Sequence, residues 1–161
     1  MLRRVAISFA VLAAIAGCGN DGGTPDRVID VSKDDPKMNA AMEKARSTVG
    51  TFTAALASPR PGQRSFTVKV AFTDGKNTEH MWLSPVSFDG TKFHGTINND
   101  PERVSHVKNG DDAEVEPSKI SDWMFVDDGK LMGGYTLRVL RDAMSPAERA
   151  EFDKSVDFVV E

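Results

Sequence analysis

Hydrophobic and polar positions divide the chain into stretches of different period. From Met38 the apolar residues recur at Met42, Ala45, Val49, Phe52 and Leu56, in steps of four and three. That spacing places one apolar stripe on a helix and predicts a long amphipathic helix from Pro36 to Leu56. Asp35 fits its N-cap and Pro36 its first turn. Ser58-Pro59-Arg60-Pro61-Gly62 ends it, since a residue before proline avoids the helical region. The period then changes to two. Phe66, Val68, Val70 and Phe72 alternate with Thr67, Lys69, Ala71 and Thr73, which predicts a strand with one apolar face. Asp74-Gly75-Lys76-Asn77 turns the chain into a return strand at Thr78–Leu83. Asp89-Gly90 marks a hairpin between Val86–Phe88 and Lys92–Ile97. A weaker strand follows at Glu102–Val107, another at Ala113–Val115, and the last clear one at Ile120–Val126. Ser145-Pro146-Ala147-Glu148 has the form of a capping box opening a C-terminal helix. Leu137, Leu140 and Met144 suit a short helix before it, although Tyr135, Leu137 and Val139 also alternate as a strand would. The expected fold is α+β: a long N-terminal amphipathic helix on a curled antiparallel sheet of about five or six strands, with one or two C-terminal helices.

The N-terminal residues follow neither period. Arg3 and Arg4 precede Val5–Ile15, eleven residues in which only Ser8 is polar. At ~1.5 Å per residue such a helix is too short to cross a ~30 Å hydrocarbon core, and it has the proportions of a signal-peptide core. Ile15-Ala16-Gly17-Cys18 resembles the bacterial lipobox, with the single cysteine of the chain at its invariant position. The resemblance implies that the Cys18 thiol takes up diacylglycerol, that the bond before it is cut, and that the new amine is acylated with a fatty acid such as palmitate. Residues 1–17 are therefore expected to be a signal peptide, 18–35 a lipidated cysteine and flexible tether, and 36–161 a single domain. The tether, GNDGGTPDRVIDVSKDD after the cysteine, has too few apolar residues to offset its ordering entropy. Val28, Ile29 and Val31 could add one short strand to the sheet. Gly19 after the cysteine implies outer-membrane sorting where the source has an outer membrane.

Composition narrows the rest. The chain has 161 residues, 40% apolar and 27% charged, and a formal charge of −4. Lack of a basic excess removes any general pull toward nucleic acid. One cysteine excludes a disulfide framework and a Cys-rich zinc site. His80, His94 and His106 stand fourteen and twelve residues apart, in no metal-binding motif, so neither a metal nor another cofactor is expected. Asp111-Asp112 and Asp127-Asp128 read as turn formers beside glycine. Gly133-Gly134 reads as a hinge for a mobile segment or a point of close backbone approach, with a simple break between sheet and helix as the plainer role.

Several separated blocks carry a family resemblance. Phe66-Thr-Val-Lys-Val-Ala-Phe, Glu79-His80-Met81-Trp82-Leu83, Ile120-Ser121-Asp122-Trp123-Met124, Asp128-Gly129-Lys130-Leu131 and Gly133-Gly134-Tyr135-Thr136 occur in order. Together they resemble the YegJ-like bacterial family, which is defined by a domain of unknown function. The likeness runs from about Met38 to Phe152. It implies one compact domain and no particular activity, cofactor or catalytic residue.

Trp82 and Trp123 are the residues best suited to a ligand. A tryptophan platform with a histidine near it fits a flat or sugar-like molecule. The candidate ligand site is His80, Trp82, Asp122 and Trp123, with large side chains on both faces of the two strands and core packing as the plainer role of the tryptophans. No catalytic residue is assigned. The expected function is a cell-envelope lipoprotein facing the periplasm, with a non-enzymatic binding or interaction domain. Its contacts would be the membrane through the lipid and an envelope protein partner. The alternatives are an envelope hydrolase built on His80 and Asp122 and a periplasmic immunity-type inhibitor.

Overall fold

A computed structural model describes residues 4–7, 29–32 and 35–161 of the chain. Cys18, most of the expected signal peptide and most of the tether lie outside the described residues. Six strands form the antiparallel body of the sheet: β3 (Gln63–Asp74), β4 (Asn77–Phe88), β5 (Phe93–Ile97), β6 (Asp112–Val115), β7 (Ile120–Asp127) and β8 (Lys130–Gly133). They lie in the order β6-β5-β4-β3-β7-β8. A ribbon of β1 (Arg4–Ile7) and β2 (Ile29–Ser32) adds to one half of β4, with β1 parallel to it. β5 occupies the other half of the same side.

The expected long N-terminal helix is instead two helices, α1 (Pro36–Ser47) and α2 (Val49–Ala57). The break has a local cause. The Thr48 hydroxyl donates to the carbonyls of Lys44 at 2.7 Å and Ala45 at 3.3 Å, and the Ser47 hydroxyl donates to Lys44 at 2.9 Å. Side chains that bond back to the preceding turn bend or end a helix. The apolar stripe survives the break, since Met38, Ala45 and Phe52 are all buried. Asp35 caps α1 as expected, its carboxylate accepting from the Met38 amide at 2.9 Å.

Phe52 is the centre of the main core. Its ring lies 5.6–6.3 Å from those of Phe66, Phe93, Trp123 and Phe125. Val68, Val70, Met81, Leu83 and Ile120 complete this face of the sheet. The opposite face of β7 and β8 is covered by α3 (Tyr135–Ala143) and α4 (Pro146–Ser155), around Leu131, Leu137 and Phe152. Residues 135–143 are thus helix. Ser145 and Glu148 form the expected capping box of α4.

Three further readings change. Thr78–Leu83 and Val86–Phe88 are one strand, β4, because a register shift between Leu83 and Val86 absorbs Pro85. β8 is a strand that the alternation did not reveal. Glu102–Val107 is loop, not strand. Its backbone is taken by side chains: the Glu79 carboxylate accepts from the amides of Glu102 and Arg103 at 2.9–3.1 Å, and Asp74 from the amide and hydroxyl of Ser105. Backbone donors satisfied this way have no need of a ladder.

The outer strands β6 and β8 are finished differently. On one side β6 carries Asp112 and Glu114. On the other, Val159 pairs beside Lys130, donating to Gly129 at 2.8 Å and accepting from Leu131 at 2.9 Å. The Arg138 guanidinium donates to the carbonyls of Leu131, Gly133 and Glu161, which fastens this last segment to β8.

Candidate functional site

Strand alternation sorts the candidate residues. In β3 and its neighbours Val68 is level with Leu83 and Trp123, while Lys69 is level with Trp82 and Asp122. Trp123 therefore faces the Phe52 core, where its indole N–H donates to the Ala45 carbonyl at 2.9 Å. Trp82, His80 and Asp122 lie on the other face, with Lys69 between Trp82 and Asp122. The structure thus brings three of the four predicted residues to one face and sends Trp123 to the other.

Lys69 was not among the predicted site residues, yet it stands at the middle of this face. It is 1% exposed, and its Nζ lies 5.0 Å from the centroid of the Trp82 ring. Such a cation over an indole face is attracted to the ring quadrupole. Burial lowers the Lys69 pKa to about 8, against the charge of Asp122, which raises it. Strict alternation gives no means of telling this lysine from a solvated one.

Asp122 is a tether. Its Oδ1 accepts from the amides of Trp123 at 2.9 Å and Tyr135 at 3.1 Å. Its Oδ2 accepts from the Thr136 amide at 2.7 Å and hydroxyl at 2.6 Å. Burial pushes the carboxyl pKa up, while the Thr136 hydroxyl, the Lys69 charge and the amides pull against it. All four contacts are donors, so the ionised carboxylate is the form they fit. The result is that β7 holds the first turn of α3 where a helix start needs acceptors.

His80 reaches over the small Ala71, its neighbour on β3, to Ser121 on β7. Its Nδ1 lies 2.6 Å from the Ser121 hydroxyl. Ser121 sits where the register between β3 and β7 shifts, which turns its side chain to this face. Burial and the nearby Lys69 charge lower the His80 pKa to about 4. The ring is neutral at pH 7. Because the unfolded chain protonates near pH 6.5 and the folded one near 4, His80 lowers folding stability progressively as pH falls through that window. A denaturant midpoint measured at pH 7 and at pH 4.5 should drop more for the wild type than for His80→Asn, which keeps a polar atom near Ser121 and does not titrate. Equal drops would show that His80 is not the titrating group.

Among the described residues, no group of three or more His, Cys, Asp or Glu side chains converges as a metal site. No described helix is long and apolar enough to cross a membrane.

The family model described as "Uncharacterized protein conserved in bacteria (DUF2314)" matches residues 35–158, which covers strands β3 to β8 and helices α1 to α4. The chain belongs to the DUF2314 family. Within it, the chain is 33% identical over 112 residues to "Uncharacterized protein YegJ" of Escherichia coli K12, covering 70% of this chain and 72% of that protein. This agrees with the YegJ-like resemblance of the separated sequence blocks. It is also 37% identical over 138 residues to "Putative ankyrin repeat protein NMB1133/NMB1171" of Neisseria meningitidis serogroup B, covering 80% of this chain. The chain spans about half of that relative, 54% of its length. No solved structure matches the chain. In this DUF2314 domain the quoted blocks fall on β3, β4, β7, β8 and the start of α3, the elements that build the Lys69 face and its Asp122 tether.

Proposed function

We propose that this protein is a lipid-anchored domain of the bacterial cell envelope, facing the periplasm, that acts by binding an envelope partner and not by catalysis. The observation that carries the non-enzymatic part is the saturation of Asp122. A general acid or base must exchange a proton with a substrate, and it must have a lone pair or proton free for that purpose. Asp122 is 0% exposed and has four internal donors, so its chemistry is structural. A hydrolase pairing it with His80 would have to dismantle the start of α3. The partner-binding part rests on the surface, where acids and bases intersperse in pairs such as Arg60–Asp127, Lys92–Glu114 and Arg141–Asp153. That surface suits contact with a protein of mixed charge better than one strongly basic toxin.

The anchor is supported by the leader and by Cys18 in its lipobox-like setting. Fatty-acid labelling in the native host tests it. The wild-type chain should carry the label, begin at residue 18 and pellet with membranes. Cys18→Ala should lose the label entirely and keep residues 1–17. A wild-type product that is unlabelled, or that retains its leader, refutes the anchor.

A further inference from the structure

In the full chain β1 stands between β2 and β4. Ala6 is level with both Glu79 and Asp30, and Ile7 with both His80 and Ile29. On the lipoprotein reading, cleavage before Cys18 removes β1 altogether. We propose that in the mature protein the strand Ile29–Ser32 moves inward by one strand position and pairs directly with β4. This inference rests on the anchor proposed above.

Three features of the sheet lead to it. First, cleavage leaves a defined gap. β5 leaves β4 at Ile97, and its ladder is closed off just beyond: Asn98 donates its amide to the Trp82 carbonyl at 2.9 Å, and the Asn99 side chain accepts from the Trp82 amide at 2.7 Å. Backbone groups two residues apart point to the same side of a strand, so those of His80 and Thr78 face the side that β1 occupies. Without β1 they form an open ladder that water or another strand can take up.

Second, the direction is right. β2 is antiparallel to β1, and β1 is parallel to β4, so β2 already runs antiparallel to β4. The move replaces the parallel contact with one of the same sense as the contacts among β3 to β8. A straight sideways shift sets Ile29 level with His80, Asp30 with Glu79 and Val31 with Thr78.

Third, the distance is short. Neighbouring strands are ~4.8 Å apart, and the three residues between Ser32 and Pro36 span up to ~10 Å when extended. The move also changes the leash. With residues 29–32 docked, the segment between the lipid and the domain is residues 19–28, so the domain stands closer to the membrane than a tether reaching to Asp35 would hold it.

Engineered cysteines test the transfer. In the double variant Val31→Cys/Thr78→Cys, made in the native host, Cys18 is a thioether and the two new thiols are free to pair. β2 and β4 lie two strand spacings apart in the uncleaved chain, ~9.6 Å, beyond the ~7 Å Cα separation a disulfide allows. Mild oxidation should cross-link the mature, acylated chain within itself nearly completely, and leave the uncleaved Cys18→Ala version unlinked. A mature chain that stays unlinked, or links only to a second molecule, overturns the transfer and leaves the anchor standing. Linking in both forms overturns it as well, since cleavage then changes nothing. A chain that retains residues 1–17 refutes the anchor and the transfer together. Hydrogen exchange of the wild-type mature protein gives a reading free of substitutions. The amides of Thr78 and His80 should stay protected, and rapid exchange there overturns the proposal.

Discussion

Asp122→Ala should destabilise the domain by about 4–5 kcal/mol, a large fraction of the ~5–15 kcal/mol that holds a typical domain folded. The substitution leaves the buried amides of Trp123 and Thr136, the amide of Tyr135 and the Thr136 hydroxyl without their acceptor. Each such group costs roughly 1–3 kcal/mol when deprived of its partner. It also removes the negative charge that Lys69 faces in the interior, and breaking a buried pair from one side costs about 3–5 kcal/mol. These contributions overlap and do not add. Asp122→Asn should lose about half as much, because its amide can present an oxygen to one pair of donors only. Urea denaturation followed by circular dichroism measures both. A loss below about 1.5 kcal/mol for the alanine variant would show that the start of α3 does not depend on this carboxylate. It would also reopen the hydrolase reading, because the carboxylate would then be dispensable to the fold.

Gly133→Ala should cost about 3–4 kcal/mol, for a reason unrelated to charge. Gly133 has φ +71°, where an L-residue loses ~1–2 kcal/mol. A methyl group there would also stand 2.2 Å from the Trp123 carbonyl oxygen and 2.5 Å from its ring. The ring cannot retreat cheaply, since it packs against Phe52, Phe125 and Tyr135. Overfilling a packed interior adds about 1–3 kcal/mol. Gly75→Ala separates the two causes. Gly75 has φ +58° with nothing within 4 Å of the added carbon, so it should show the backbone cost alone. If the two variants melt together, the contact with Trp123 is not the reason for glycine at position 133. Of the readings of Gly133-Gly134, the hinge would then regain ground over close backbone approach.

The parts of this fold that were legible in the sequence are those set by local chemistry. Asp35-Pro36 and Ser145-Pro146 mark helix starts because the capping atoms lie within three residues of the amides they serve. Phe66–Phe72 reads as a strand because its two faces differ. What remained hidden turns on side-chain bonds, element length and register. Thr48 breaks the helix through bonds to its own preceding turn, and no step in the apolar spacing records that choice. The loop at Glu102–Val107 has a strand-like composition, but its amides are taken by Glu79, 23 residues earlier. β8, four residues long, is too short for alternation to register. Of the candidate site, the common face of His80 and Trp82 followed from a spacing of two. Trp123 was expected in the same cleft because composition alone suggested it, whereas the register of β3 with β7 decides its side. Lys69 and Ser121 needed that register as well.

The β6 and β8 margins of the sheet bear on how these molecules behave when crowded. An open ladder invites a neighbour's backbone, and a surface that concentrates copies raises that hazard. Here the β6 margin carries charge, Asp112 and the Glu114–Lys92 pair, and the β8 margin is covered by the residues around Val159 under the grip of Arg138. Copies approaching along β6 or β8 would meet charge at one and an already occupied strand at the other, so neither of these two strands offers a free ladder for fibre growth.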